Sequence, residues 1–206
     1  MRSFCLVVVG LAGCGGVVVP DGGVEPDEPR VDGGATLDGG ADAGRCGEGV
    51  TPAEGVVLTT GGAISGQLTG DVTRFLGVPY AKPPVGSLRW RPPEPIGCQT
   101  GVQQALAAGP ICPQQLADGG VVGDENCLTV NVFAKRGLSG APVMVWIHGG
   151  GNVQGSGSDP LYDGSDLAAR HGAVVVTMNY RLGALGFFAH AGLHAESDAG
   201  VSGNYG

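Results

Sequence analysis

Residues 142–152 read Pro142-Val143-Met144-Val145-Trp146-Ile147-His148-Gly149-Gly150-Gly151-Asn152. The unbroken apolar run Val143–Ile147 is typical of a strand buried on both faces of a sheet. Three glycines follow, and because glycine has no Cβ, their backbone N–H groups can point into a cavity. Donors held in this way suit an oxygen that gains negative charge during a reaction. The stretch therefore predicts a buried strand that ends in an oxyanion-binding loop.

A helix and a second strand follow this loop. Ser165 can cap a helix start, Asp166 falls in its first turn, and Gly172 can end it. Residues 173–178 form a second apolar, β-prone run. A strand, a helix and a strand in this order predict a βαβ unit whose two strands are parallel.

Further strands are predicted upstream. Residues 56–60 and 64–68 flank two glycines and predict a hairpin, and residues 74–78 predict another strand. Residues 127–133 alternate and precede a polar turn, so we expect this strand to pair antiparallel with Val143–Ile147. The predicted fold class is α/β, with a mixed, mostly parallel sheet and an N-terminal β-hairpin.

The first 13 residues have the pattern of a secretory signal peptide. The apolar run of residues 4–11 is too short to span a bilayer. It ends in LAGC at residues 11–14, which resembles the bacterial lipobox, so Cys14 is the predicted site of lipid attachment. Gly15 follows the cysteine, and a residue other than Asp at this place implies sorting of a lipoprotein to the outer membrane. We expect an exported, lipid-anchored protein.

Residues 14–45 are rich in Gly, Pro and acidic side chains, and the triplet Asp-Gly-Gly recurs in them. A calcium-binding repeat is an alternative, but the copies are irregularly spaced and no strand pattern separates them. The composition favours a disordered, acidic linker. The net charge of −8 argues against a nucleic-acid partner and against electrostatic membrane binding. We therefore expect membrane contact through the lipid anchor alone.

Residues from about 56 to the last residue carry several blocks that resemble type-B carboxylesterases and cholinesterases. In chain order they are FLGVPYAKPPVG at 75–86, LRW at 88–90, ENCLTVNV at 125–132, WIHGGG at 146–151, GSG at 155–157, YDG at 162–164, NYRLGALGF at 179–187 and GNYG at 203–206. HGGG is an oxyanion-hole motif of lipases and esterases. The resemblance implies that residues 46–206 are the N-terminal part of an α/β-hydrolase. It also implies hydrolysis of small-molecule carboxylic esters by a Ser–acid–His triad, without a cofactor.

The resemblance assigns the oxyanion donors to the backbone N–H groups of Gly150 and Gly151. It makes His148 a structural residue beside the loop, although a histidine there could be mistaken for a catalytic base. The sequence contains no G-x-S-x-G nucleophile elbow, since Ser139 and Ser202 both lack the final glycine. We therefore expect a chain cut short before its nucleophile, acid and base, and inactive by itself.

Four cysteines remain once the signal and the lipid-bearing residue are set aside, and four can pair in three ways. An exported protein can form disulfides, and free thiols are the alternative. The resemblance implies that Cys112 pairs with Cys127, which leaves Cys46 with Cys98.

The resemblance also implies an ion pair between Arg89 and Glu125, and a second in which Arg181 meets an acidic group beyond the last residue. Two positions depart from the family pattern. Asn126 replaces an aspartate, and Asn152 stands where an aromatic residue usually follows the glycines. The second departure is expected to alter the pocket wall near the acyl group.

Two histidines raise the alternative of a metal site. His190 and His194 have the i,i+4 spacing of metal ligands on a helix, but neighbouring Ala and Gly favour a loop and no third ligand is evident. We therefore predict no metal site.

The alternative functions are a non-catalytic binding or adhesion lipoprotein on the same fold, and a decayed remnant. A serine at the missing elbow would favour the enzyme.

Overall fold

A computed structural model describes residue 46, residue 50, residues 53–197 and residues 200–206. The predicted signal peptide (residues 1–13), the lipid site Cys14 and the whole of the predicted linker (residues 14–45) lie outside the described residues, and those predictions stay untested. Within the described part, none of the helices has the length and apolar character needed to cross a membrane.

The described residues form ten strands, three short α-helices and two 3-10 helices, at Gly86–Leu88 and Pro160–Tyr162. The strands are β1 Val56–Thr59, β2 Gly62–Ser65, β3 Gln67–Thr69, β4 Val72–Pro79, β5 Val102–Gln104, β6 Gln114–Gln115, β7 Val121–Val122, β8 Thr129–Lys135, β9 Val143–Ile147 and β10 Val174–Met178. The α-helices are α1 Ser165–His171, α2 Gly183–Phe187 and α3 Ala191–Glu196.

The main sheet has the order β3-β4-β8-β10-β9. The predicted βαβ unit is confirmed, because β9 and β10 run parallel and α1 lies between them in the chain. The predicted antiparallel pairing of β8 with β9 is wrong. β10 returns through the crossover to a place between them, and it pairs antiparallel with β8. The sheet is mixed as predicted, but among the described strands only the β9–β10 pairing in it is parallel, so most of its pairings are antiparallel.

The predicted N-terminal hairpin is confirmed, since β1 and β2 pair antiparallel. The predicted strand 64–68 is divided at Gly66, where the chain leaves the β1-β2-β5 sheet and enters the main sheet as β3. A Cβ at Gly66 would lie 2.6 Å from the carbonyl oxygen of Arg74. Only glycine therefore fits where the chain changes sheets so close to β4.

Helix α1 covers one face of the main sheet. Ala168 on α1 is fully buried and packs with Phe133 and Val175 in an apolar cluster. The predicted cap by Ser165 is wrong, because the N-cap is Gly164. A Cβ at Gly164 would lie 2.5 Å from Val175 Cγ1, so the helix begins too close to the sheet for a larger cap residue. The predicted end at Gly172 is confirmed, with φ 61° in the left-handed region.

Strand β9 was predicted to be buried on both faces, yet among the described residues it is an edge strand that pairs only with β10. Its terminal side chains are largely exposed, at 47% for Val143 and 45% for Ile147. An exposed apolar edge is a template for pairing with another chain.

We therefore expect residues 1–206, expressed alone, to self-associate through β9. Val143→Lys should reduce this self-association, because a charge on an edge strand opposes pairing. Leu161→Lys is the matched control, since Leu161 is 82% exposed outside the strands and the added charge is the same. Light scattering coupled to gel filtration measures the effect. A monodisperse monomer with a sharp thermal transition would contradict the prediction.

Candidate functional site

The glycine loop follows the carboxyl end of β9, next to the end of β10, where Ile147 lies opposite Met178. Gly150 and Gly151 both have positive φ values, 122° and 62°. A Cβ at Gly150 would lie 1.9 Å from the carbonyl oxygen of Gln154, so no other residue fits there without moving the backbone. Both the conformation and the space explain the glycine at position 150.

The carbonyl groups of the loop are turned toward the protein. Gly149 O lies 2.8 Å from Nδ1 of His148, and Gly150 O accepts a hydrogen bond from the N–H of Val153 at 3.1 Å. Across a trans peptide, the N–H of the next residue points away from the carbonyl. The N–H groups of Gly150 and Gly151 therefore point away from these contacts. Neither donates a hydrogen bond to another described residue, so two adjacent donors are free to bind an anionic oxygen.

The imidazole of His148 is buried and contacts the glycine loop at Gly149. It is 3% exposed and stacks on Tyr180 with the ring centroids 4.5 Å apart. The Tyr180 hydroxyl donates to the carbonyl oxygen of His148 at 3.1 Å. Because Nδ1 meets the carbonyl of Gly149, the hydrogen must be on Nδ1. A Cβ at Gly155 would lie 2.4 Å from that nitrogen, so the ring is held on several sides.

Two buried asparagines hold the segment after the glycines, and the sequence analysis did not foresee them. Asn179 Oδ1 accepts from the N–H of Gly157 at 2.8 Å and from the hydroxyl of Ser156 at 3.1 Å. Asn179 Nδ2 donates to Pro110 O at 3.0 Å, and Asn131 Nδ2 donates to Gly157 O at 3.2 Å. An asparagine inside or directly after an apolar strand was the available signal, because a buried amide needs partners.

Both pairs of cysteines implied by the resemblance form disulfides in the structure. Cys112 is bonded to Cys127, and Cys46 is bonded to Cys98. The first pair lies in an apolar cluster with Leu128. It thus fastens the loop before β6 to the start of β8.

Arg89 and Glu125 form a partly buried ion pair. Arg89 Nε donates to Glu125 Oε2 at 2.7 Å, and Nη2 donates to the other carboxylate oxygen. The hydrogen bond and the charge of Glu125 raise the pKa of the Arg89 guanidinium. The neighbouring Asn126 is exposed, so its departure from the family pattern leaves this pair intact.

The guanidinium of Arg181 is only partly satisfied by the described residues. Arg181 is 3% exposed, and its Nη1 donates to Arg91 O at 2.9 Å. Its Nε and Nη2 have no hydrogen-bond partner in the described part of the chain. Burial lowers the pKa of Arg181 and raises that of the Tyr80 hydroxyl close to it. An acidic partner for Arg181 outside residues 1–206 stays a prediction.

The loop predicted around His190 and His194 is wrong. Residues Ala191–Glu196 form helix α3, and His190 is its N-cap, with Nδ1 accepting from the N–H of Gly192 at 3.1 Å. The ring nitrogen thus satisfies one of the N–H groups that the first turn of a helix leaves unpaired. The described residues contain no cluster of three or more His, Cys, Asp or Glu placed to hold a metal ion.

Comparison with known proteins gives matches over the same part of the chain. The model of the Carboxylesterase family matches residues 53–206. A fumonisin B1 esterase of Sphingopyxis macrogoltabida is 49% identical over 154 residues, which cover 72% of this chain and 28% of that protein. Para-nitrobenzyl esterase of Bacillus subtilis (strain 168) is 48% identical over 139 residues, which cover 64% of this chain and 28% of that protein. A solved PNB esterase structure is 46% identical, with a TM-score of 0.66, over 75% of this chain and 32% of that one. The chain spans less than a third of the length of these relatives.

Proposed function

This chain belongs to the type-B carboxylesterase family, with the N-terminal part of an α/β-hydrolase fold, and we propose that its protein hydrolyses small-molecule carboxylic esters by a serine hydrolase mechanism. The observation that carries the proposal is the pair of free N–H groups at Gly150 and Gly151. They lie at the carboxyl ends of two parallel strands, where ligands bind in open α/β sheets.

In this mechanism the described residues supply electrostatic stabilisation. When a serine oxygen attacks the ester carbonyl, the C=O π electrons move to its oxygen, and that oxygen becomes negative. The N–H groups of Gly150 and Gly151 would donate to this oxygen, and losing one such donor typically costs about 100- to 1000-fold in rate. Since the donors are already oriented by His148 and Val153, they would need no reorganisation during the reaction.

The nucleophile, the acid and the base are proposed to be encoded beyond Gly206. In α/β-hydrolases the triad follows the chain order Ser, then Asp or Glu, then His, and the serine comes after the oxyanion loop. The unpaired Nε and Nη2 of Arg181 support a continuing chain, because a buried guanidinium without a carboxylate is costly.

We also propose that the protein is exported and anchored at the outer membrane through a lipid on Cys14. The signal pattern of residues 1–14 supports this. The disulfides Cys46–Cys98 and Cys112–Cys127 fit an oxidising compartment.

The first experiment is to sequence the genomic DNA for a few hundred codons past Gly206 and express the joined reading frame. We expect a G-x-S-x-G elbow there, and hydrolysis of p-nitrophenyl esters that is lost when the elbow serine is changed to alanine. Incorporation of labelled fatty acid, abolished by Cys14→Ser, tests the anchor. A residue other than serine at the elbow, with no ester hydrolysis, would overturn the enzyme proposal and favour a non-catalytic binding protein.

A further inference from the structure

We propose that Asn152 is a positioning residue, which sets the direction of the oxyanion donors through its backbone rather than its side chain. The proposal rests on the proposed function, because it concerns the same loop. Three observations carry it: the left-handed conformation of Asn152, the turn that this conformation closes, and the contact of its carbonyl group with helix α2.

Asn152 has a φ of 62°, and the residue before it, Gly151, also has a φ of 62°. Left-handed backbone is uncommon for residues other than glycine, and asparagine is among the few that adopt it readily. In the described part of the chain, the other non-glycine residues with positive φ are Trp90 and Asn204. The left-handed backbone conformation at position 152 therefore favours asparagine or glycine there.

These two residues are the centre of a four-residue turn. The N–H of Val153 donates to the carbonyl of Gly150 at 3.1 Å, which closes the turn between its first and last residues. Positive φ at both central positions is the requirement of a type I′ turn, in which Gly, Asn and Asp dominate. An aromatic side chain, as is usual at this position in the family, would be strained in this turn.

The turn determines where one of the two donors points. The carbonyl of Gly150 accepts hydrogen bonds from the N–H groups of both Val153 and Gln154, at 3.1 and 3.2 Å. The N–H of Gly151 lies on the opposite side of the same peptide plane. If residue 152 leaves the left-handed region, the N–H groups of Val153 and Gln154, which both follow it in the chain, turn away and that peptide plane is released. The free N–H of Gly151 then loses its fixed direction.

The carbonyl of Asn152 provides a second attachment. It accepts a hydrogen bond from the N–H of Gly183, the first residue of α2, at 2.7 Å. The Asn152 side chain is exposed and makes no hydrogen bond to the described residues. The loop is thus fixed at one end by His148 and at the other by the start of α2, and the asparagine contributes through its main chain.

The test is a set of substitutions at position 152 in the full-length protein encoded by the gene. Asn152→Gly keeps access to positive φ without the side chain, whereas Asn152→Ala and Asn152→Val disfavour it. We expect Asn152→Gly to retain kcat within about threefold, and Ala and Val to lower kcat by about tenfold or more, with Val worse and KM little changed. Asn126→Ala is the matched control, because that asparagine is exposed and makes no side-chain hydrogen bond to the described residues.

The outcomes distinguish a role of the Asn152 backbone from a role of its side chain. If Asn152→Gly loses as much kcat as Asn152→Ala, the side chain itself acts and the proposal is overturned. If Ala and Val behave like the wild type, it is overturned as well. Should the wild-type protein hydrolyse no ester, the proposed function fails, and hydrogen–deuterium exchange of residues 148–155 decides. Faster exchange in the Ala and Val variants, but not in Gly, then supports the positioning role, and equal exchange in all of them overturns it.

Discussion

Gly150→Ala should lower kcat/KM of the full-length protein for p-nitrophenyl esters by about 100- to 1000-fold. The new Cβ would lie 1.9 Å from the carbonyl oxygen of Gln154, and φ 122° is a conformation that alanine rarely adopts. The loop must therefore change shape, and the N–H groups of Gly150 and Gly151 lose their common direction. Steady-state kinetics on purified variants measures the effect, and we expect it mainly in kcat because the donors act on the transition state.

Gly137→Ala is the matched control for this substitution. Gly137 also has a positive φ, 72°, but it lies in the exposed turn between β8 and β9 and a Cβ there would meet nothing within 4 Å. Alanine at 137 should cost roughly 1 kcal/mol of stability and leave kcat unchanged. Wild-type kcat in Gly150→Ala, or an equal loss in both variants, would show that the glycine loop does not hold the oxyanion.

Asn179→Ala should lower the free energy of unfolding of the full-length protein by about 3–4 kcal/mol. Asn179 is 2% exposed and its amide serves three partners, on Ser156, Gly157 and Pro110. Removing the amide leaves the buried N–H of Gly157 without its acceptor, which costs about 1–3 kcal/mol, and it takes one partner each from the part-buried Ser156 hydroxyl and Pro110 carbonyl. Denaturant unfolding followed by fluorescence provides the measurement.

Asn126→Ala serves as the control for Asn179→Ala, since the exposed Asn126 side chain donates to no described residue. It should change the free energy of unfolding by no more than about 0.5 kcal/mol. Differences in the free energy of unfolding below about 0.5 kcal/mol are not significant. A loss of less than about 1 kcal/mol in Asn179→Ala would mean that water replaces the amide and that the asparagine does not hold the loop.

Local patterns predicted the local structure well. The apolar run Val143–Ile147, the glycines after it and Gly172 mark a strand, a loop and a helix end through short-range backbone preferences, and the structure has all three elements. The neighbours of β8 were not predictable in this way. A short polar turn favours pairing with the next strand, but the crossover places β10 between β8 and β9, and only long-range packing determines that order.

In the candidate site, too, local features were predictable and long-range contacts were not. The positions of Gly150 and Gly151 follow from the motif, whereas their orientation depends on contacts with His148 and Val153 that no periodicity reveals. Asn179 illustrates the limit most clearly. Its role depends on loops that are distant in sequence and meet only in the folded chain.

The Cys46–Cys98 disulfide also determines how the fold would carry mechanical load. Any tension on the chain N-terminal to Cys46 passes through the sulfur atoms to Cys98, because this covalent path is far shorter than the 52-residue path along the backbone. Strands β1 to β4 lie within the bypassed loop. A pull from that side therefore reaches the domain near β5, and the hairpin and the first strands of the main sheet are shielded from the force.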